Sequence, residues 1–424
     1  MKIAFCTLGC KVNHYDTQCM LEQFVNCGWE VVPFSETADV YLINTCSVTQ
    51  ISDKKSRQMI SQAHRLNDDA LICVTGCYAQ VSPEEVGRLP GVGLVVGTDG
   101  RKDIVSLVES ALSGKNANTL ADIRSVREFE EMSAVADSRT RATLKIQDGC
   151  DNYCSYCIIP YARGHIRSRS LDNIRTELER LASNGFKEVV LTGIHLASYG
   201  KDLNGSCTLT DAIRTAAEVP GLERIRLGSL EPGYCDQRFA NEISSLDKVC
   251  RQFHLSLQSG SDSVLRRMNR KYTTSEYRHS VELLREKMPD CSVTTDVIAG
   301  FVAETEREHL ETCSFLRDIG FARIHVFPYS RRRGTVADRM DGHLEKSIRN
   351  SRAAELISIG EELEGNFIES QIGTVQSVLV EDDGTGYTNH YVRVRCNAPE
   401  GSMVKVRIIG HQDKIANGEV IENG

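Results

Sequence analysis

Cys150, Cys154 and Cys157 stand in the run QDGCDNYCSYCIIP, spaced C-x3-C-x2-C. Thiolates this close in sequence hold metal. Three is a short set, since a structural zinc closes with four ligands and a 4Fe–4S cluster offers one ligand position per iron. Three cysteines on such a cluster leave one iron open. An open iron can chelate a molecule through an amine and a carboxylate, and S-adenosylmethionine carries both. The competing reading is a zinc ion completed by a distant residue such as His165.

A second group, Cys6, Cys10, Cys46, Cys73 and Cys77, lies near the N-terminus. Two of its pairs share an x3 spacing, so a four-cysteine zinc site competes here as well. The runs KIAFCTLG, DVYLINTC and LICVTGC read as buried strands. That reading places Cys6 and Cys73 inside strands, and Cys10, Cys46 and Cys77 just past strand ends. Open α/β sheets form their ligand crevice at those carboxyl ends. Three strand-end cysteines again suggest a 4Fe–4S cluster with a free iron.

The chain has 424 residues, 16 of them cysteine, and a formal charge of -8. So many cysteines point to cluster chemistry in a reducing compartment. Cys19, Cys27, Cys207, Cys235, Cys250, Cys291, Cys313 and Cys396 read as small buried hydrophobes. The charge excludes a polycation, so any nucleic acid must be held by local basic patches. No apolar run approaches the roughly 20 residues of a membrane helix, and the start MKIAFCTLGC has no secretory pattern. A cytosolic (cytoplasmic) protein with no membrane partner is expected.

Elements must carry these cysteines to common points. Residues 1–112 alternate apolar runs with the amphipathic stretches DTQCMLEQFVNCG and SDKKSRQMISQAHRLN, a βαβ rhythm that implies a parallel sheet. Residues 113–140 are polar and read as a linker. From 141, six strand candidates (ATLKIQ, EVVLTGI, RIRLGSL, QFHLSLQSG, SVTTDVIAGF and RIHVFPYS) alternate with helical LDNIRTELERLASNGF, SDSVLRRMN, TSEYRHSVELLREKM and TEREHLETCSFLRDIGF. Six strands suggest an incomplete β/α barrel, and the first ends just before Cys150, where such folds place their chemistry. A long helix closes this part at 364. Residues 365–424 read as short alternating strands, a small antiparallel OB-like β-barrel. The fold class is α/β with this added barrel.

C-x3-C-x2-C with Tyr156 before the last cysteine resembles the radical S-adenosylmethionine superfamily. The succession LGCKVNHYDT, INTCSVT, TGCYAQ, KIQDGCDNYCSYCIIPYARG, LTGIHLASYG, LSLQSGSDSVLRRMNRKY and FPYSRRRGTVA resembles the methylthiotransferase family across the whole chain. The resemblance implies an N-terminal cluster domain, a radical barrel and a C-terminal RNA-binding domain called TRAM. It implies Cys10, Cys46 and Cys77 as ligands of an auxiliary cluster. It further implies two S-adenosylmethionine molecules per turnover: one methylates a sulfur on the auxiliary cluster, the other yields the 5′-deoxyadenosyl radical that takes a substrate hydrogen. GCKVNHYDT and His195 in LTGIHLASYG are similar to the branch acting at C2 of N6-threonylcarbamoyladenosine, at position 37 beside the tRNA anticodon. Branches acting on isopentenyladenosine, or on an aspartate of a ribosomal protein, remain alternatives. A non-catalytic zinc-containing RNA-binding protein is the alternative of another class.

Strand-end placement nominates Tyr156, Thr192, Gly193, Glu231 and Gln258 as S-adenosylmethionine contacts, with no catalytic residue beyond the cluster ligands. Contacts to the tRNA anticodon stem-loop are expected from Arg163, Arg167 and Arg169, from Arg331, Arg332 and Arg333, and in the tail from Arg393, Arg395, Lys405 and Arg407. Arg266, Arg267, Arg270 and Lys271 form a further group that reads equally well as helix surface or internal ion pairs. An electron donor such as flavodoxin or ferredoxin, and a monomeric chain, complete the expectations. One departure stands out. GFVAET at 300–305 replaces the family's usual Pro-Gly pair with Val302 and Ala303, so another turn conformation is expected there.

Overall fold

The computed structural model describes residues 1–115, 120–134, 140–205, 207–381 and 383–421. Its N-terminal unit is a five-stranded, wholly parallel sheet. The strand order is Glu30–Val32, Lys2–Thr7, Val40–Thr45, Leu71–Gly76 and Val92–Val95. Val40–Thr45 is buried along its whole length, as a strand covered on both faces must be. Helices Lys11–Asn26 and Gln50–Leu66 cover the sheet. Thr49 caps the second by accepting from the Ser52 N–H, a contact worth about 1 kcal/mol.

The central unit carries six parallel strands in chain order: Arg141–Asp148, Glu188–Gly193, Arg224–Leu227, Gln252–His254, Ser292–Ala299 and Arg323–Pro328. Isolated bridges Ile225–Val249 and Leu230–Leu255 join the first three to the last three. The short antiparallel strand Arg167–Ser168 finishes one edge. Capping boxes at Thr208, Thr273 and Thr305 start three of the covering helices. Three helices, Ile159–Arg163, Leu209–Glu218 and Gln237–Ser244, were not expected from sequence. LTDAIRTAAE buries its apolar face chiefly through Ala and Thr, which blur the period.

The tail is a closed five-stranded barrel of Val375–Val380, Thr385–Thr388, Arg393–Arg395, Met403–Gln412 and Ile415–Val420. The strand Thr385–Thr388 is the addition to the sequence reading. The helix Lys346–Glu369 runs unbroken through the expected boundary at 364–365.

The tail docks on the amino-terminal ends of the barrel strands. Arg224 donates to the Tyr387 and Ser377 carbonyls and Arg226 to the Thr388 carbonyl, while both guanidiniums bond Glu188 at 3.0 Å. Ser292 donates to the His390 carbonyl, and Arg141 stacks over Tyr387. The tail therefore plugs the end of the barrel opposite the cysteine loop.

The described part of 113–140 has neither helix nor strand, yet it is packed. Ile123 and Met132 are buried, Tyr15 donates to the Met132 carbonyl at 2.7 Å, and Glu130 accepts from Arg101 at 3.0 Å. Among the described residues no helix is long and apolar enough to cross a membrane. Of the eight cysteines read as buried hydrophobes, Cys27 is instead exposed, at the C-terminal end of the first helix.

Candidate active site

Cys10, Cys46 and Cys77 each follow a strand of the N-terminal sheet directly or by a short turn. Backbone geometry brings their loops together. Gly9 has φ +113°, and a Cβ there would lie 2.8 Å from Cys46 Cβ and 3.0 Å from its Sγ. Gly76, at φ +93°, lies so close to Thr45 and Asn44 that a side chain would collide with both. Asn13 Nδ2 donates to the carbonyls of Leu8 (2.8 Å) and Thr45 (3.0 Å), tying the loop before Cys10 to the one before Cys46. The three thiols lie within electrostatic range of one another. Burial pushes Cys77 up to about 11; Arg163 opposes that rise, and Cys46 and Cys10 add to it.

In the barrel, Arg141–Asp148 delivers Cys150, Cys154 and Cys157 from its carboxyl end. Gly149, φ +73°, passes so close to the His165 carbonyl that no Cβ fits. Gln147 donates to the Asp148 and Gly149 carbonyls and accepts from the His195 N–H at 2.7 Å. Ser155 N–H and Oγ anchor the loop to the Met268 and Arg267 carbonyls. Burial pushes Cys150 and Cys157 up to about 12, and mutual repulsion with Cys154 adds to both shifts. Thiols raised in this way, as Cys150 and Cys157 are, are relieved by a cation that takes them as thiolates.

The donor sets fit a cluster better than one ion. Among the described residues, three ligand atoms lie within 4.8 Å of one another only at His309, Cys313 and Glu355. A single tetrahedral zinc draws its sulfurs to about 3.8 Å. Neither cysteine triplet is closed to that degree, and His165 is instead bonded to Asp151 at 2.7 Å.

Around the barrel triplet lies a constellation of polar groups. Asn152 donates to Glu231 at 3.1 Å, and His195 Nε2 is 3.1 Å from the same carboxylate. Arg270 reaches Glu231 at 3.2 Å and Cys154 Sγ at 3.2 Å. Burial alone would raise Glu231, but the hydrogen bond from His195 and the charge of Arg270 outweigh it and hold the carboxyl at about 2. Gly193 packs against Gln147, where a Cβ would come within 2.9 Å, and Thr192 is buried. Gln258 adopts φ +70° further round the barrel, its N–H bonded to the Asp296 carbonyl. The Tyr156 ring lies in an apolar cluster with Phe301, Val302, Tyr329 and Met268.

That cluster includes the loop with the sequence departure. Ala303 sits at φ +55°, so alanine occupies the left-handed conformation expected of glycine, contrary to the expected change of turn. Its N–H donates to the Gly342 carbonyl at 2.8 Å, and Arg267 holds the Val302 and Ala303 carbonyls. These contacts offset a strain of about 1 kcal/mol.

Several arginines expected to meet RNA are internal. Arg163 is fully buried; it bonds Asp16 and Asp148 at 3.0 Å each and Asn13 at 2.6 Å. Arg101 and Lys145 complete the network, with Lys145 2.6 Å from Asp16. Burial would raise both aspartates, and the surrounding cations overcome it and depress them. Arg167 and Arg169 are buried in the same region, and Arg169 bonds Tyr15 and the Met132 carbonyl. Arg332 bonds Asp53 and Ser47, both at 2.6 Å, stitching the last barrel loop to the residue after Cys46. Arg163 and Arg332 share one reason: carboxylates are buried where the domains adjoin, and a buried carboxylate must be paired.

Arg331 is partly exposed and pairs with Asp338, and Arg333 is exposed. In the tail, Arg393 pairs with Asp383, while Lys405, Arg407 and Arg395 point outward. The strand Ile415–Val420 separates the two pairs and sets Glu419 opposite Arg407, so no continuous basic face forms.

Surfaces the sequence reading missed include a cavity of about 680 Å³ between the domains, lined among others by Gln80, Arg124, Ile158, Tyr161 and Arg333. Tyr161 and Tyr153 pack edge-to-face at 6.0 Å beside it, both more than a third exposed. A second hollow lies on helix Gln50–Leu66, between Lys54, Arg57, Gln58, Ser61 and Arg65. The i, i+4, i+7, i+11 spacing of Lys54, Gln58, Ser61 and Arg65 was legible as one helix face.

Comparison with known proteins agrees with this architecture. Residues 2–97 match a family model described as uncharacterized protein family UPF0004, and residues 144–316 match the radical SAM superfamily. The threonylcarbamoyladenosine tRNA methylthiotransferase MtaB of Bacillus subtilis is 40% identical over 96% of this chain and 93% of its own length. Its namesake from Aquifex aeolicus is 38% identical over 96% and 100%. A tRNA-2-methylthio-N(6)-dimethylallyladenosine synthase from Finegoldia magna is 31% identical over 98% and 94%. Among solved structures, the radical S-adenosylmethionine methyltransferase TsrM of Kitasatospora setae has the same fold, with a TM-score of 0.57 at 16% identity, covering 78% of this chain and 74% of that one. With two strand-end cysteine triplets on abutting domains and full-length identity of this order, the chain belongs to the radical S-adenosylmethionine tRNA methylthiotransferase family.

Proposed function

We propose that this protein methylthiolates C2 of N6-threonylcarbamoyladenosine at position 37 of tRNA. The observation that carries the reading is the junction of the two cysteine sites. The helix Ile159–Arg163, two residues past Cys157, sends Arg163 into the N-terminal domain, where it bonds Asn13 and lies in electrostatic reach of Cys77 and Cys10. One substrate atom can therefore be served from both sites.

Cys150, Cys154 and Cys157 would hold one 4Fe–4S cluster, and Cys10, Cys46 and Cys77 a second. When bound, these supply the electron that splits S-adenosylmethionine and the sulfur that is delivered. The chain's own residues position the reactants. Glu231, kept ionised by His195 and Arg270, offers a carboxylate to the ammonium of S-adenosylmethionine, and Thr192, Gly193, Gln258 and the Tyr156 backbone line the same strand ends. The buried Asp16–Arg163–Asp148 network fixes the distance between the sites. The tail covers the opposite end of the barrel.

The anticodon stem-loop approaches the interdomain cavity. Tyr161 and Tyr153 there suit base stacking, and Arg124, Arg333, Lys54 and Arg65 suit phosphates. Lys11, the residue after Cys10, has its ammonium pKa lowered by burial and lies within electrostatic reach of Tyr391 and Glu188. A small one-electron donor of the flavodoxin or ferredoxin type reduces the protein, which acts as a monomer in the cytoplasm.

The test is anaerobic, cluster-loaded protein with S-adenosylmethionine, reductant and defined tRNAs, read by nucleoside mass spectrometry. A 2-methylthio product from threonylcarbamoylated tRNA and none from isopentenylated tRNA is expected. The reverse would refute the substrate. Four irons per chain rather than eight would refute the second cluster.

A further inference from the structure

His309, Cys313 and Glu355 meet between two helices of the central unit, away from both cysteine triplets. His309 and Cys313 lie one turn apart on helix Glu306–Ile319, so both side chains leave the same face. Glu355 comes from helix Lys346–Glu369, which packs across it. His309 Nε2 is 2.9 Å from Glu355 Oε2 and 3.6 Å from Cys313 Sγ, and that sulfur is 3.8 Å from Glu355 Oε1.

These lengths nearly reproduce the face of a coordination tetrahedron. Zinc–sulfur near 2.3 Å with zinc–nitrogen and zinc–oxygen near 2.0–2.1 Å requires ligand separations of about 3.3–3.6 Å. The nitrogen–sulfur side lies at the edge of that range and the two carboxylate contacts, one through each oxygen, fall within about 0.5 Å of it, so a small rotation of the Glu355 carboxylate would bring one oxygen to both partners. Imidazole nitrogen, thiolate and carboxylate together suit an ion of borderline softness. Burial supports the same reading. His309 and Cys313 are 1% and 2% exposed, while the Glu355 side chain is half exposed, so the fourth position opens to water and the ion has a way in.

We propose that His309, Cys313 and Glu355 form a third metal site, which takes a single zinc ion with water as fourth ligand. The site joins the helix after the 300–305 loop to the helix that leads into the tail barrel at Val375. Its ion would pin the tail to the radical barrel. A thiol assigned from sequence to plain core packing becomes a ligand, because only the fold brings residue 355 to residues 309 and 313.

The experiment uses the protein with its iron–sulfur sites already filled, so that the cluster cysteines cannot take up the probe. Zinc alone is added anaerobically, excess is removed by dialysis, and zinc and iron are measured per chain. One zinc per chain with iron unchanged is expected, and zinc absorption-edge fine structure should report one sulfur among nitrogen and oxygen neighbours. Glu355→Gln, at a half-exposed position that folding tolerates, should weaken zinc binding at least about tenfold. Cys313→Ser should remove the sulfur signal. No zinc retained by iron-replete protein, zinc with a sulfur-free shell, or zinc uptake unchanged in both variants would each overturn the proposal.

Discussion

Replacing Arg163 by methionine keeps the volume of the side chain and removes its charge. Three cations, Arg101, Lys145 and Arg163, face three carboxylates, Asp16, Glu130 and Asp148, in a region closed to water. Without Arg163 one buried negative charge is uncompensated, and the Asn13 side-chain oxygen Oδ1 loses its 2.6 Å donor. Breaking a buried ion pair from one side costs about 3–5 kcal/mol. Protonating a freed carboxylate at pH 7 offers no cheaper escape, since bringing an ordinary aspartate of pKa ~3.9 to the neutral form costs about 4 kcal/mol.

The network joins two domains, so the penalty should appear as local opening between them. Hydrogen exchange followed by mass spectrometry on protein of verified iron content should show protection of helix Lys11–Asn26 and of the 147–163 loop falling by about 10²- to 10⁴-fold. The penalty should shrink by up to ~1.4 kcal/mol per unit of pH once a carboxylate can take the proton. Binding of tRNA supplies the counter-test. A phosphate contact would lower the slope of log K against log salt by about 0.9, whereas a buried arginine leaves it unchanged. Unaltered protection together with a reduced salt slope would refute the structural role and restore Arg163 to the RNA surface.

Three further outcomes are expected. Gly9→Ala forces a Cβ to within 2.8 Å of Cys46, so about four irons per chain should be lost while four remain; full iron retention would show that the Cys10 loop can move aside. Ala303→Gly relieves the left-handed backbone and should raise stability by up to ~1 kcal/mol, read as a higher melting temperature; a lower one would mean that the alanine methyl packs for more than it strains. Glu231, held at about 2 against an ordinary 4.5, contributes stability that is present above pH 4.5 and lost as pH falls toward 2, about 3 kcal/mol in all. Cluster-free Glu231→Gln should therefore show a shallower acid limb than the parent over that window, and parallel limbs would refute the coupling to His195 and Arg270.

The sequence by itself set out the chemistry and the order of the parts. Cysteine spacing is local, so C-x3-C-x2-C and the strand-end positions of Cys10, Cys46 and Cys77 were legible from period and punctuation alone. The same holds for the six barrel strands, five of which are largely buried while the last, Arg323–Pro328, is not. Charge was a different matter. Arg163 and Arg332 carry nothing in their neighbours to say whether they face water or a carboxylate 147 or 279 positions away, and the pairing partners Asp16 and Asp53 became visible only when the domains were packed. Left-handed Ala303 was hidden for a related reason: local preference argues against it, and the strain is offset by Gly342 and Arg267 from elsewhere in the chain. Which end of the barrel the tail would cover, and the meeting of Cys313 with Glu355, likewise depended on contacts between distant segments. Spacing fixes chemistry within a loop or a helical turn; the fate of a buried charge is decided by what tertiary packing sets against it, because desolvation is a property of the assembled interior.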